Sequence, residues 1–186
     1  IPGATVEIPK SSGSGTRTVL TDEEGNSYTG MVNETQNVAV IPVDKTGEYS
    51  IKEELIAQFG KEKQIDIFRE AGQRSGEYFA RHMLNLDQPL NAFISELQAK
   101  MQDLKIGVLR IENIDEQSGR IILTVSEDAD CSGLPVLGET VCNYEEGFIS
   151  GILSVYTGKS YSAIEIDCWA TGDRVCRFRA DVIESE

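Results

Sequence analysis

The sequence predicts an α+β fold in which helices pack on one face of an antiparallel sheet. Apolar residues recur at helical spacing through residues 50–104 and 144–156, whereas residues 106–125 and 163–182 alternate with a period of two. Turn residues separate the alternating runs, which is typical of antiparallel strands with short connections. A chain of 186 residues can bury a core without disulfides.

Residues 1–45 are predicted to form an N-terminal arm or small lobe that combines a flexible segment with short β-strands. The segment Lys10–Gly15 contains only Lys, Ser and Gly, a composition typical of flexible linkers. Three β-prone runs follow it, at Thr18–Leu20, Tyr28–Val32 and Val38–Ile41. We expect residues 46–186 to form the main domain.

Two helices are predicted at the start of the main domain. Ser50 and Glu53 have the spacing of a capping box, and Gly60 suits the end of the helix that they begin. The second helix carries a stripe of apolar and small residues, which is Ile65, Phe68, Gly72, Gly76, Phe79 and Met83. Each glycine inside a helix costs ~1 kcal/mol relative to alanine. Two glycines on one stripe therefore indicate that another helix or a ligand approaches the backbone closely.

The remaining elements alternate between the two periods. A third helix begins near Pro89, and the segments 106–111 and 120–125 then read as antiparallel strands around a turn. A fourth helix, from Tyr144 to Tyr156, ends at Gly158 and carries Gly147 and Gly151 four residues apart. The segments 163–168 and 175–182 predict a closing hairpin.

The charge of the chain excludes some classes of partner. Asp and Glu number 31 against 17 Lys and Arg, which gives a formal net charge of −14. Such a surface repels phosphate backbones and anionic lipids, so we expect neither nucleic acid nor a membrane as a partner. The sequence contains no run of 18 apolar residues and no visible secretion signal. We therefore expect a cytoplasmic location and reduced thiols.

Three of the four cysteines lie near the C-terminus together with one carboxylate. A hairpin centred on Gly172 would place Cys168 and Cys176 opposite each other, close enough for two sulfurs to bind one metal ion. Cys142, before the fourth helix, and Glu165 could complete a tetrahedral site. Glu165 and Cys168 can share an ion only if the strand twists or bulges between them.

Other interpretations of these cysteines stay open. Cys131 could replace one of the four ligands. Alternatively, Cys168 and Cys176 could form a cross-strand disulfide, the thiols could be buried and unreactive, or a pair of them could sense redox state.

Two segments carry a resemblance to a known family. CNYEEGFISG at residues 142–151 and EIDCWATGDRVCRF at residues 165–178, preceded by Cys131, resemble the 4-vinyl reductase domain family. FREAGQRSG at residues 68–76 is similar to that family's glycine-bearing helix. The pattern also resembles the aromatic-effector sensor domain of phenol- and xylene-responsive bacterial activators. The resemblance covers about residues 48–183 and is most specific at residues 142–178.

The resemblance implies a structural zinc ion with Cys142, Glu165, Cys168 and Cys176 as its ligands. It also implies the sensor fold shared with haem-nitric-oxide-binding domains and vesicle-tethering components, with the zinc ion stapling the closing hairpin. It further implies a small hydrophobic or aromatic ligand and a homodimer.

Seven helical residues are candidates for contact with such a ligand, and they are Phe79, His82, Phe93, Leu97, Met101, Gly147 and Gly151. Each has a simpler interpretation as well: the apolar residues as core, the two glycines as packing contacts, and His82 as a surface or satisfied core residue. If haem-binding relatives are the better guide, His82 would be an axial haem ligand.

We therefore expect a sensor or carrier domain for a small hydrophobic molecule, held by structural zinc. One alternative, which the family name suggests, is a tetrapyrrole-binding accessory factor or reductase. Another is a thiol redox switch that uses Cys131 and Cys142. A self-sufficient enzyme is not expected, because the sequence offers neither a dinucleotide-binding motif nor an acid/base pair.

Overall fold

The computed structural model describes residues 51–183 except 133 and 135, together with the backbone of four N-terminal strands. The predicted flexible segment Lys10–Gly15 lies outside the described residues. The chain divides into two compact units, Ile1–Phe59 and Gly60–Glu186. The boundary predicted between residues 45 and 46 stays a prediction.

The first unit contains a four-stranded antiparallel sheet with the strands in sequence order, followed by helix α1. Its elements are β1 (Thr5–Glu7), β2 (Thr16–Thr21), β3 (Ser27–Asn33), β4 (Val38–Val40) and α1 (Ile51–Phe59). Each of the three predicted β-prone runs coincides with one of these strands. Helix α1 begins directly after Ser50 and ends directly before Gly60, as the capping pattern predicted.

The second unit combines three helices with an antiparallel sheet in the order β5-β6-β8-β7, which confirms the predicted α+β class. Its elements are α2 (Lys61–Met83), α3 (Leu90–Asp103), β5 (Val108–Ile114), β6 (Ile121–Ser126), α4 (Asn143–Thr157), β7 (Tyr161–Asp167) and β8 (Cys176–Val182). None of the helices in the described part of the chain has an apolar stretch long enough to cross a bilayer.

The helices of the second unit cover one face of its sheet. Helix α4 packs on β7 and β8, α3 packs on β5, and α2 packs on α4 rather than on the sheet. In β8 the buried residues Cys176, Phe178 and Ala180 alternate with the partly exposed Arg177 and Arg179. The apolar core therefore lies between the sheet and the pair α3 and α4, and α2 forms an outer layer.

Helices α2 and α4 touch backbone to backbone through their glycines. A Cβ atom on Gly72 or Gly76 would lie less than 3.0 Å from a carbonyl oxygen of α4, and a Cβ atom on Gly147 or Gly151 would lie equally close to α2. Gly72 faces Tyr144 and Gly76 faces Phe148, so the two helices run in the same direction. The close approach that two glycines on one stripe predicted is thus made by another helix.

We predict that Gly72→Ala destabilises the chain even though alanine favours helix formation by ~1 kcal/mol over glycine. The added methyl group would meet backbone atoms of α4, which cannot move aside without separating the helices. We expect a loss of about 2 kcal/mol or more in the free energy of unfolding, measured by urea denaturation. Glu70→Ala, at an exposed site on the same helix, is the control and should change stability by less than about 0.5 kcal/mol. Equal stability of the two variants would contradict the close contact.

Candidate metal centre and apolar cavity

The four cysteines of the chain form a buried group in which all sulfur atoms lie within 4.8 Å of one another. The sulfur of Cys142 lies 3.8 Å from that of Cys176 and 3.9 Å from that of Cys168. The sulfurs of Cys131 and Cys176 are 3.1 Å apart. Four thiolates around one zinc ion, each with Zn–S of ~2.3 Å, have sulfurs about 3.8 Å from one another. The group therefore has nearly the dimensions of a tetrahedral zinc site.

All four thiols are free, so the alternative of a Cys168–Cys176 disulfide is not realised. The shortest sulfur–sulfur distance, 3.1 Å, is well above the ~2.05 Å of a disulfide bond.

Each cysteine lies at the end of an element or in a connection. Cys131 lies in the turn after β6, and Cys142 is the residue before the first turn of α4. Cys168 follows β7 and caps the single 3-10 turn Trp169–Thr171, while Cys176 is the first residue of β8. Pairing of β6 with β8 places Val125 opposite Cys176, which brings the turn that carries Cys131 beside the closing hairpin.

Strand β7 contains the bulge on which the predicted site depended. Glu165 pairs with Phe178 and Asp167 pairs with Arg177, so two steps along β7 match one step along β8. The register shift offsets the strict alternation of the strand. As a result Glu165 and Cys168, three residues apart, are both buried.

The thiols influence one another strongly because they share a buried site. Hydrogen bonds with Cys142 and Cys176 lower the pKa of Cys131 to about 7, and the same hydrogen bonds raise the pKa values of those two partners. Burial is the main cause that raises the pKa of Cys168 to about 11. In the absence of a cation the group therefore holds one thiolate and three thiols near neutral pH. A divalent ion would take the place of the three protons.

Two carboxyl groups on the other side of Cys142 add negative charge to this region. Asp128 Oδ2 accepts hydrogen bonds from the thiols of Cys142 at 3.3 Å and Cys131 at 3.7 Å. Both carboxyl oxygens of Glu145 are buried without a hydrogen-bond partner. Burial, and then the neighbouring Asp128, raise the pKa of Glu145 well above its usual range, so this side chain is a neutral carboxylic acid at pH 7.

Glu165, one of the predicted ligands, lies beside the sulfur group and is not a member of it. Its Oε2 atom accepts the backbone N–H groups of Val141 at 3.1 Å and Cys142 at 3.0 Å. The side chain thereby holds the segment that carries Cys142. The structure brings three of the four predicted ligands together and adds Cys131 to them.

Glu146 connects three elements around this site. Its Oε2 atom accepts hydrogen bonds from Arg69 Nε at 2.6 Å and Asn143 Nδ2 at 3.3 Å, and its Oε1 atom accepts the N–H of Glu165 at 2.8 Å. The carboxylate is almost fully buried, whereas Arg69 reaches the surface. One side chain of α4 is therefore bound to α2 and to β7.

An apolar cavity lies between α3, α4 and strands β5 and β6, with a volume of about 20 Å³. It is lined by Leu90, Phe93, Ile94, Leu97, Met101, Leu109, Ile111, Ile121, Leu123, Ile149, Ile152 and Leu153. Three of the predicted ligand contacts, Phe93, Leu97 and Met101, line this cavity. The ring of Phe93 also stacks on Tyr156 with centroids 3.8 Å apart, which joins α3 to α4.

The other predicted ligand contacts lie elsewhere. Phe79 packs against Phe148 with ring centroids 5.3 Å apart, where α2 meets α4. His82 is exposed, stacks on Tyr78, and donates from Nδ1 to the Tyr78 carbonyl at 2.8 Å. Gly147 and Gly151 face the backbone of α2. The ligand roles of these four residues stay predictions.

Sequence reasoning missed several residues of the site. It named Cys131 only as a possible substitute, and it did not foresee the contact of Asp128 with two thiols or the pairing of Arg69 with Glu146. The two acidic residues at the start of α4 were a signal, because they are typical of a helix N-terminus. Nothing in the sequence pattern indicated that both would be buried.

The comparisons with known proteins agree with the sequence resemblance. Residues 121–182 match the 4-vinyl reductase domain family, which confirms the predicted resemblance. An uncharacterized protein of Methanocaldococcus jannaschii is 31% identical over 91 residues, which are 49% of this chain and 54% of that protein. The chain thus spans about half the length of this curated relative.

Solved structures with the same fold include two that contain small molecules. The phenol-responsive sensory domain of the transcription activator PoxR, solved with phenol, is 14% identical with a TM-score of 0.59, covering 94% of this chain and 84% of that chain. Trafficking protein particle complex subunit 3 of Naegleria fowleri, covalently bound to palmitic acid, is 14% identical with a TM-score of 0.53, covering 72% and 91%.

At these identities the similarity concerns the fold alone. The second structure agrees with the predicted likeness to vesicle-tethering components. The predicted likeness to haem-nitric-oxide-binding domains has a TM-score of 0.45 and stays a prediction.

We predict that Glu146→Ala destabilises the chain by about 2–3 kcal/mol, because it leaves the buried N–H of Glu165 without an acceptor and Arg69 without its partner. Glu146→Gln keeps an acceptor for that N–H and should lose less than about half as much. Urea denaturation measures both, with Glu116→Ala at an exposed turn as the control. Equal losses for the two Glu146 variants would show that the hydrogen bond to β7 contributes nothing.

Proposed function

We propose that this chain, which matches the 4-vinyl reductase domain family at residues 121–182, is a small-molecule-binding sensor or carrier whose closing hairpin is held by structural zinc. The observation that carries the proposal is the position of α4. This helix begins at Cys142, contacts α2 through Gly147, and contributes Ile149 and Ile152 to the apolar cavity. Metal site, cavity and outer helix are thus connected through one rigid element.

The fold supports the ligand-binding part of the proposal. One structure with this fold responds to phenol and another holds palmitic acid, so the fold accommodates small molecules with apolar parts in proteins of very different sequence. Transfer of this property to the present chain is an analogy of fold. The cavity lined by Phe93, Leu97 and Met101 is the place in this chain where such a molecule would bind.

The sulfur geometry supports the zinc part. Four buried cysteine side chains at tetrahedral spacing are the donor set of a closed structural zinc site. We propose Cys131, Cys142, Cys168 and Cys176 as the ligands, with Glu165 holding the backbone of Cys142. The predicted set, in which Glu165 takes the place of Cys131, is the second arrangement. Zinc in such sites contributes on the order of 10 kcal/mol to folding.

In a sensor, occupancy of the cavity must alter a surface that a partner can read. A ligand that separates α3 from the sheet would press on Ile149 and Ile152, and therefore on α4. Because α4 and α2 touch through their backbones, a shift of α4 is passed to the outer helix. We propose that α2 presents this change to a second copy of the chain. The homodimer and the cytoplasmic location are parts of this proposal.

One distance favours a second candidate function, a thiol redox switch. The sulfurs of Cys131 and Cys176 are 3.1 Å apart, the shortest separation in the group, whereas the predicted switch paired Cys131 with Cys142. Counting reactive thiols before and after addition of a chelator distinguishes the candidates, because zinc-bound thiolates react slowly until the ion is removed. The tetrapyrrole alternative stays a prediction, since a cavity of about 20 Å³ would have to enlarge greatly.

We predict that native mass spectrometry of the purified chain detects one zinc ion per chain, and that Cys176→Ser and Cys142→Ser lose it. Substitution of cobalt for zinc identifies the fourth ligand, because each Co–S bond contributes to the sulfur-to-metal charge-transfer absorption. With four cysteine ligands, Cys131→Ser lowers this absorption by about one quarter or more, and Glu165→Gln leaves it unchanged.

The opposite pattern, in which Glu165→Gln changes the cobalt spectrum and Cys131→Ser does not, would establish the predicted ligand set with Glu165. A protein that binds no metal and keeps its unfolding midpoint in excess chelator would overturn the structural-zinc proposal altogether.

A further inference from the structure

The cavity of the second unit is lined by side chains that carry no nitrogen or oxygen atom. All twelve residues that line it are Leu, Ile, Phe or Met. They belong to α3, α4, β5 and β6, whose backbone N–H and C=O groups are largely used within helices and strands. A hydroxyl group inside this space would therefore have no hydrogen-bond partner.

The polar groups nearest to these elements are already engaged. Gln98 Nε2 on α3 donates to the carbonyl of Leu109 on β5 at 3.1 Å. The hydroxyl of Tyr156 on α4 donates to the carbonyl of Gln88 at 3.0 Å. Both contacts stabilise the position of α3, so recruiting either group to a ligand would break a bond that holds the cavity together.

The cavity can enlarge on one side more easily than on the other. Helix α3 packs mainly against β5, whereas α4 is held by α2, β7 and β8. The flexible side chain of Met101 on α3 lies in the lining, and methionine adapts readily to irregular apolar shapes. A molecule larger than the present cavity of about 20 Å³ would enter by displacing α3 and repacking Met101.

We infer that the group which this cavity binds is an unsubstituted hydrocarbon, aromatic or aliphatic, and that the cavity discriminates against phenols. The inference rests on the proposed function and names its ligand class. Its physical basis is that burial of a hydroxyl group without a partner costs more than burial of a methyl group of similar size gains in return. Dry apolar cavities in proteins bind such guests, benzene among them.

Toluene and phenol test the inference, because they differ only in a methyl group against a hydroxyl group. We expect isothermal titration of the full chain to give about tenfold or more tighter binding for toluene than for phenol. Ile111→Thr introduces a hydroxyl group at a half-buried position of the lining and should shift this ratio toward phenol at least about threefold. Ile122→Thr makes the same change on the neighbouring strand, outside the lining, and should leave the ratio unchanged.

The possible outcomes separate this inference from the proposed function. Phenol binding as tightly as toluene to the wild-type chain would overturn the inference and leave the proposed function in place. Equal shifts in Ile111→Thr and Ile122→Thr would also overturn it, since binding would then occur outside this cavity. Failure of both molecules to bind, together with the absence of any co-purified apolar molecule in native mass spectra, would overturn the proposed function and the inference with it.

Discussion

The contact between the backbones of α2 and α4 is the constraint on which the rest of the second unit depends. Four glycines, two on each helix, allow a separation that no residue with a Cβ atom permits. Because α2 packs on α4 and not on the sheet, this contact alone fixes the outer layer. It also fixes the height of α4 above the sheet, and therefore the positions of Cys142 at its start and Ile152 on its inner face. The favourable helix propensity given up at four positions, ~1 kcal/mol each, is offset by this packing.

A chain of hydrogen bonds extends the constraint from the outer helix to the metal centre. Arg69 of α2 donates to Glu146 of α4, Glu146 accepts the N–H of Glu165 on β7, and Glu165 in turn accepts the N–H of Cys142. Both carboxylates are buried, a costly state that hydrogen bonds to charged or backbone donors must balance. The chain crosses three elements and returns to the start of α4, one turn before Glu146. It therefore sets the position of Cys142 relative to the hairpin independently of any metal ion.

Local patterns predicted the elements, while contacts between distant segments escaped prediction. Periodicity placed the helices and strands of residues 51–182, and paired glycines correctly indicated a close helix contact, because both signals lie within one element. Cys131 was not foreseen as a full member of the sulfur group. Its place there follows from the pairing of β6 with β8, which no spacing within either strand encodes. Glu165 was predicted as a ligand from its neighbourhood to Cys168, yet the direction of its carboxylate depends on the amides that precede α4.

The relative strengths of the two sites determine which part of the domain can respond to a ligand. With zinc bound as proposed, the start of α4 is held by an interaction on the order of 10 kcal/mol, in addition to the hydrogen bonds of Glu165. A ligand of a few apolar atoms can shift an equilibrium only by its differential affinity for the two states, which is a few kcal/mol. Movement at Cys142 is therefore too costly for such a ligand to cause. Displacement falls instead on α3, which mainly contacts β5, and on the half of α4 beyond Ile149, where Phe93 stacks on Tyr156. In this view the metal centre is the fixed pivot of the domain, and the end of α4 remote from it carries the response.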